Sequence, residues 1–461
     1  MVQMCMTDLE STMKKGKNLF GILVTLCMVG GLLLPGCVPK SMDDEILNNM
    51  KISMDQEILG ARDFGYGQVS VNETGIFYFD AGVMSYYDYE MDEKYVLCST
   101  PQCRHNSSEC NAYMGDEEVY GGYAMYDGYV YVLYRSSESE YLELARMDTA
   151  GQNKEIVSKI YAGVDIKEWR PCMIEEVYYH QGYAYVKLQW LRSEGDPDGI
   201  WQTLDGYQLL AIDLSNGNVT ELTGILTYEI DALQINYDLF TDGQVVFSVE
   251  YPDEIKLTME QYYEQNPAGD YWQYYDEYWG RMSMYMEYKT FYPKTRQIEV
   301  ISEGAMRFMG EGEHQRPFYL SGVYDGKWLA ANYDEIGFIY YWYDPSNREL
   351  EEFLRTDKEN RLLGRYYGEA VDLVYDGDKL LGGEYLDEKR DQQYYIDLKT
   401  GERHDLFVED RARWEVDGFQ ILEETSEYLI GRSNGGGHVY YVVKKSDFEE
   451  SYMEKVRKVT L

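Results

Sequence analysis

The densest chemistry in this chain lies in thirteen residues, Cys98-Ser99-Thr100-Pro101-Gln102-Cys103-Arg104-His105-Asn106-Ser107-Ser108-Glu109-Cys110. The spacing is Cys-x4-Cys-x-His-x4-Cys. Three thiolates and one imidazole are the ligand set of a closed tetrahedral zinc site, and ligands this close let one loop wrap the ion. With Cys98, Cys103, His105 and Cys110 all engaged, no coordination position is left for substrate, so such a zinc is structural. A second reading uses the same atoms. Of the seven cysteines, Cys5, Cys27 and Cys37 lie near the N-terminus, and four remain with Cys172. Four thiols in an exported chain are also enough for two disulfides, Cys172 pairing with one of the three. The sequence leaves both open, with free thiols as the third reading.

A second group that can recognise something is aromatic. From Tyr251 to about Gly280 the chain carries Tyr262-Tyr263, Tyr271-Trp272, Tyr274-Tyr275 and Tyr278-Trp279, interleaved with Asp253, Glu254, Glu260, Glu264, Asp270, Asp276 and Glu277. Flat rings stack on the apolar faces of sugars or on a partner's side chains, and carboxylates accept hydrogen bonds from hydroxyls. Tyr271, Trp272, Tyr275 and Trp279 are the candidate ligand-binding residues. The competing reading packs these rings inside a helical hairpin, Ile255 to Gln265 and Asp270 to Met282, broken at Pro267-Ala268-Gly269.

Signals for catalysis are weak. Two carboxylates suffice for glycoside hydrolysis, but among 82 acidic residues any pair can be imagined. Gly431-Arg432-Ser433-Asn434-Gly435 matches Gly-x-Ser-x-Gly, yet a nucleophile elbow needs a helix after the serine; here glycines and a second strand follow. His180, His314, His404 and His438 have no recognisable catalytic setting. Asp196-Pro197-Asp198-Gly199 lacks the later glutamate of a calcium loop.

The N-terminus carries an address. Lys14, Lys15 and Lys17 precede an apolar stretch from Leu19 to Leu34, and Leu34-Pro35-Gly36-Cys37 follows. A basic run, an apolar run and small residues before a cut site describe a secretory signal. With a cysteine directly behind it, the segment resembles the lipobox of bacterial lipoproteins. That resemblance implies cleavage after residue 36, acylation of Cys37, and a lipid anchor on the extracytoplasmic face of the cell membrane. An uncleaved transmembrane anchor is the alternative. Residues 37–60 read as a polar tether.

The rest of the chain must position these groups, and it repeats. A turn followed by alternating apolar residues recurs at Thr74-Gly75, Asp127-Gly128, Gln181-Gly182, Asp242-Gly243, Asp325-Gly326 and Asp376-Gly377, with a degenerate seventh at Ser426-Glu427. Spacings are 53, 54, 61, 83, 51 and 50 residues. About twenty residues after most of these turns an apolar strand ends in Asp and turns again, at Asp148, Asp213, Asp344 and Asp397. Two hairpins per unit make four strands, and four-stranded units repeated radially make a β-propeller. Residues 61–461 are therefore predicted to form seven blades, with six or eight as neighbouring counts and an α-helical insertion at about 251–280. A pair of β-sandwiches is the rival, but sandwiches impose no such period. Leu144 to Gly151 resembles the blade-closing strand of TolB-like and YWTD-like propellers. Leu97 to Cys110 resembles a cysteine-containing loop of extracytoplasmic lipoproteins of Gram-positive anaerobes, a likeness that implies no activity.

With 461 residues and a formal charge of -40, the chain repels nucleic acid, which needs a basic surface. The reading that emerges is a membrane-anchored extracytoplasmic lipoprotein acting as a binding module for a glycan, a peptide or an envelope protein. A propeller polysaccharide hydrolase or lyase is the alternative.

Overall fold

The computed structural model describes residues 40–41 and 69–461, the latter without 99, 101, 108, 116–117, 136–140, 149–150, 162–168, 196–200, 228–233, 253–258, 269–272, 274–283, 303–318, 334–337, 356–359, 363–373, 376, 388–389, 411–418, 434–438 and 449–454. Ser41–Leu461 forms one compact unit. The signal segment, Cys37 and all of the tether except Lys40–Ser41 lie outside the described residues.

Seven antiparallel sheets follow one another along the chain. Blade 1 uses Val69–Val71, Gly75–Asp80, Val83–Asp88 and Glu93–Val96; blade 2 uses Glu118–Tyr126, Tyr129–Arg135, Leu142–Asp148 and Glu155–Ile160. Blade 3 is the longest, with Trp169–His180, Tyr183–Gly195, Trp201–Asp213 and Val219–Glu221, and Leu226–Thr227 added beside its third strand. Blade 4 comprises Gln234–Thr241, Gln244–Pro252, Met284–Tyr292 and Gln297–Ser302. Blade 5 comprises Tyr319–Tyr324, Lys327–Tyr333, Phe338–Asp344 and Glu349–Arg355. In blade 6, Asn360–Leu362 and Val374–Tyr375 share the first position, followed by Lys379–Asp387, Arg390–Asp397 and Arg403–Asp410. Blade 7 closes with Phe419–Glu424, Tyr428–Ser433, Val439–Lys444 and Arg457–Thr460. The seven blades expected from the repeat are all present.

The sheets form a ring because each is buried on both sides. Side chains alternate across a strand, so odd and even positions meet different neighbours. In blade 5, Leu329, Ala331, Tyr340 and Trp342 pack against Leu380, Tyr394 and Ile396 of blade 6. The residues between them, Trp328, Ala330, Ile339, Tyr341 and Tyr343, pack against Leu239, Val246 and Tyr288 of blade 4. The last seam joins the chain's two ends: Ile76, Tyr78, Tyr87 and Tyr89 meet Tyr428, Ile430, Tyr440 and Val442. Among the described residues, blades 1 and 7 share no strand. Polar contacts hold their edges together, Glu73 accepting from the Ser426 amide and hydroxyl and Arg457 donating to the Tyr89 carbonyl.

The turn signals act as read. Asp127-Gly128, Gln181-Gly182 and Asp325-Gly326 have both central residues at positive φ, from 46° to 79°, the two-residue turn whose twist matches the strands it joins. The aspartates that end the third strands fold back on their own turns. Asp213 accepts from the Ser215 amide and hydroxyl and from Asn216; Asp344 from the Ser346 amide and hydroxyl; Asp397 from the Lys399 and Thr400 amides. These are Asx turns.

Each blade is an antiparallel meander, so its connections divide between two ends of the strands. Those from first to second and from third to fourth strand are short, running over 72–74, 127–128, 181–182, 242–243, 325–326 and their counterparts, apart from 445–456 in blade 7. The other end carries 97–117, 222–233, 253–283, 303–318 and the hairpin of blade 3.

Hydrogen bonds from the Ser346 hydroxyl and amide hold the Asp344 carboxyl below its ordinary range, and the Thr400 amide does the same for Asp397. A depressed carboxylate stabilises the fold above its unfolded pKa, about 4, and that contribution is lost as pH falls through the lower folded value. Asp344→Ala is therefore expected to lower the melting temperature at pH 7 and to change it little at pH 2, measured by thermal scans at the two pH values.

Candidate metal centre

The connection 97–117 leaves blade 1 at Val96 and enters blade 2 at Glu118. Its path is fixed by backbone contacts with blade 1: Leu97 donates to Met84, Met84 to Ala112 and Met114 to Gly82. Glycines allow the approach. A Cβ on Gly82 would stand 2.5 Å from the Gly115 carbonyl, and one on Gly151 in blade 2 would stand 3.1 Å from Asn111 and from the Leu97 carbonyl. The loop places Leu97, Cys98, Cys110, Ala112 and Met114 in the core shared by blades 1 and 2.

Within this loop Gln102 and His105 both take positive φ, 60° and 54°, and the bends turn the side chains inward. One ligand atom from each of Cys98, Cys103, His105 and Cys110 lies within 4.8 Å of every other. His105 Nδ1 is 3.2 Å from Cys110 Sγ. Cys98, His105 and Cys110 are 1%, 6% and 2% exposed, while Cys103 is half-buried. The three sulfurs are unbridged. Cys172, which a two-disulfide arrangement requires, sits on the first strand of blade 3 and is not part of the group.

Protonation states follow the packing. Burial pushes the Cys110 thiol up to about 12, with the neighbouring thiols of Cys103 and Cys98 adding to the rise. Burial acts on Cys103 too, but amide donors from His105 and Arg104 and the thiols of Cys110 and Cys98 outweigh it and hold Cys103 low. Burial lowers His105, favouring the neutral ring. A neutral imidazole and thiols a few ångströms apart are the donor chemistry of a metal ion, and a cation among them offsets the repulsion between thiolates.

The other candidates fall elsewhere. Tyr271, Trp272, Tyr275 and Trp279 lie outside the described residues. The described part of the insertion contains the helix Met259–Gln265, with Tyr262 buried and its ring 5.9 Å from that of Tyr263, and a helical Gln273. Asn266 donates from amide and side chain to the Tyr262 carbonyl, and Pro267 follows. Ser433 ends a strand whose hairpin partner is Val439–Lys444, so Gly431 to Gly435 is not an elbow. His180 contacts the Thr241 carbonyl through Nε2 at 3.0 Å, and His404 stacks on Tyr395. His314, His438 and the Asp196 turn lie outside the described residues.

Two groups had no signal in the sequence. Lys187 in blade 3 is nearly buried and pairs with Glu175 at 3.2 Å and Glu176 at 3.6 Å. Glu250 in blade 4 is buried, and burial alone raises its carboxyl to about 7. Among so many acidic residues neither stands out until the sheets are packed.

No family model matches this chain, and no curated protein matches it. Solved structures share its architecture at low identity. It is similar to the β-propeller domain of the Trilobed protease from Pyrococcus furiosus (10% identity, TM-score 0.41, 88% of this chain and 98% of that one). It is similar to a puromycin-hydrolyzing peptidase of Mycobacterium tuberculosis (10%, TM-score 0.43, 88% of this chain), of which it spans 54%. TolB from Acinetobacter baumannii aligns at 8% identity and a TM-score of 0.25, over 77% of this chain and 64% of that one.

A raised carboxyl pKa favours the fold below the unfolded value of 4.5 and loses that benefit as pH rises through about 7. Glu250→Gln is therefore expected to raise the melting temperature at pH 8.5 and to leave it nearly unchanged at pH 4.

Proposed function

We propose that this chain is an interaction module, held at the extracytoplasmic face of the cell membrane by lipid on Cys37, whose propeller presents a binding surface to a glycan or to an envelope protein. The observation that carries this reading is the unequal division of the connections. One end of the strands is closed by short turns except at 445–456, and the other carries most of the long segments, including the connection 253–283 with the aromatic insertion. Variable connections on a rigid scaffold are where recognition residues are placed. Tyr271, Trp272, Tyr275 and Trp279 belong to that insertion, with ring chemistry suited to sugars or to a protein anchor. A charge of -40 directs the choice of partner towards neutral or cationic surfaces.

Within the same reading, Cys98, Cys103, His105 and Cys110 hold zinc, whose work is structural. Zinc suits three thiolates and an imidazole in tetrahedral array. The loop it would clip completes the core between blades 1 and 2, so the ion stabilises a seam of the ring. A ligand at a hundred times its Kd stabilises a fold by about 2.7 kcal/mol. Native mass spectrometry is expected to find one zinc per chain, and none in Cys110→Ser. Removing the ion is expected to lower the melting temperature of the wild type. A metal-free protein with four hydrogens fewer would mean two disulfides instead.

The binding reading is tested by a screen of glycans and muropeptides against soluble Val38–Leu461, with product analysis of each hit. Binding without cleavage, lost in Trp272→Ala and Trp279→Ala, is the expected result. A cleaved product would replace this reading with a polysaccharide hydrolase or lyase. Absence of any hit, with a protein crosslinked to the chain in native membranes, would assign the surface to an envelope partner.

A further inference from the structure

We infer that the cysteine cluster is also an oxidation site: a hydroperoxide reacts at Cys103, Cys110 closes a disulfide with it, and the metal is released. This rests on the zinc reading above. The argument is one of access and proximity. Cys98, His105 and Cys110 are buried, whereas Cys103 is half-buried, the most exposed of the four. An oxidant arriving from water meets Cys103 first. Two more sulfurs wait within 4.8 Å.

Cys110 is the better resolving thiol. Cys98 is tied to the end of a strand through its amide bond to the Val96 carbonyl, beside Leu97 bonded to Met84. Cys103 and Cys110 lie in one turn sequence, where the Cys103 amide donates to Thr100 and the Cys110 amide to Ser107. Drawing them together bends the loop and leaves the strand-anchored Cys98 in place.

The chemistry balances. The Cys103 thiolate attacks one peroxide oxygen, the O–O bond breaks, and a sulfenic acid and hydroxide form. The Cys110 thiolate then attacks the sulfenic sulfur, the S–O bond breaks, and a second hydroxide leaves. Two sulfurs each lose one electron, the peroxide gains two, and the two hydroxides take up two protons from buffer acids in the solvent. A disulfide needs its sulfurs about 2.05 Å apart, closer than ligands on opposite corners of a zinc tetrahedron. Two of the four ligands are consumed, and the remaining thiolate and imidazole hold the ion far more weakly. Because Cys110, Ala112 and Met114 belong to the core between blades 1 and 2, the reaction also loosens that seam.

The test uses the full chain, reduced and loaded with zinc, its metal content measured before hydrogen peroxide is added. Released zinc is followed with a chromophoric chelator, and the cysteines are mapped by peptide mass spectrometry. The expected result is one zinc released and two thiols lost per chain, a Cys103–Cys110 disulfide, and a lower melting temperature, all reversed by reductant and zinc. Cys172→Ser is expected to give the same yield. Zinc retained with intact thiols overturns the inference. So does zinc lost with Cys103 carried to sulfinic acid, or a disulfide that involves Cys172. A chain that takes up no zinc before peroxide overturns the metal reading itself and this inference with it.

Discussion

Everything in this fold depends on burying both sides of every sheet. A blade of four short strands cannot cover its own apolar faces, and three buried strands such as Tyr183–Gly195, Trp201–Asp213 and Gln244–Pro252 carry large side chains on each side. Tyr185 looks towards blade 4 while Val186 and Trp190 look towards blade 2. Burying one large apolar side chain is worth about 1.5–3 kcal/mol, and a single polar turn contact about 0.5–1.5 kcal/mol. Packing between blades therefore outweighs the turns, and the ring is the only arrangement that gives all seven sheets two neighbours. The Asx turns and Asp-Gly turns set register and direction; they do not hold the ring together.

Two seams draw on more than sheet-to-sheet packing. Between blades 7 and 1, which share no strand among the described residues, Tyr89 lies on Tyr428 at 4.9 Å, and Glu73 and Arg457 satisfy polar groups across the gap. Between blades 1 and 2 the connection 97–117 adds Leu97, Cys98, Cys110, Ala112 and Met114 to the core, and four donor atoms that could hold a metal ion converge in the same loop.

The same architecture separates rigidity from recognition. Tight turns at one end of the strands leave little room for variation. Long connections at the other end tolerate insertions because the blades beneath them are already fully packed. The helical insertion of blade 4 and the extended hairpin of blade 3 come from adjacent blades and the same strand end, so the asymmetry of this propeller is concentrated there.

The sequence by itself determined the repeat and made seven the leading blade count. Turn chemistry is local, and most units carried an Asp-Gly turn or a strand-ending Asp at a readable spacing. The grouping of Cys98, Cys103, His105 and Cys110 was equally legible, because the four residues are neighbours in the chain. Whether those sulfurs converge as donors or pair as disulfides was not legible, because Cys172 is brought near or kept away only by how blade 3 packs. The same holds for Glu250 and Lys187: burial is a property of facing blades, and an acidic residue among 82 carries no mark of it. The side of each strand that meets a given neighbour is likewise decided by parity within the closed ring. Tertiary structure decided burial and strand parity because they depend on contacts between residues far apart in sequence, whose free energy appears only once both faces of each sheet are covered.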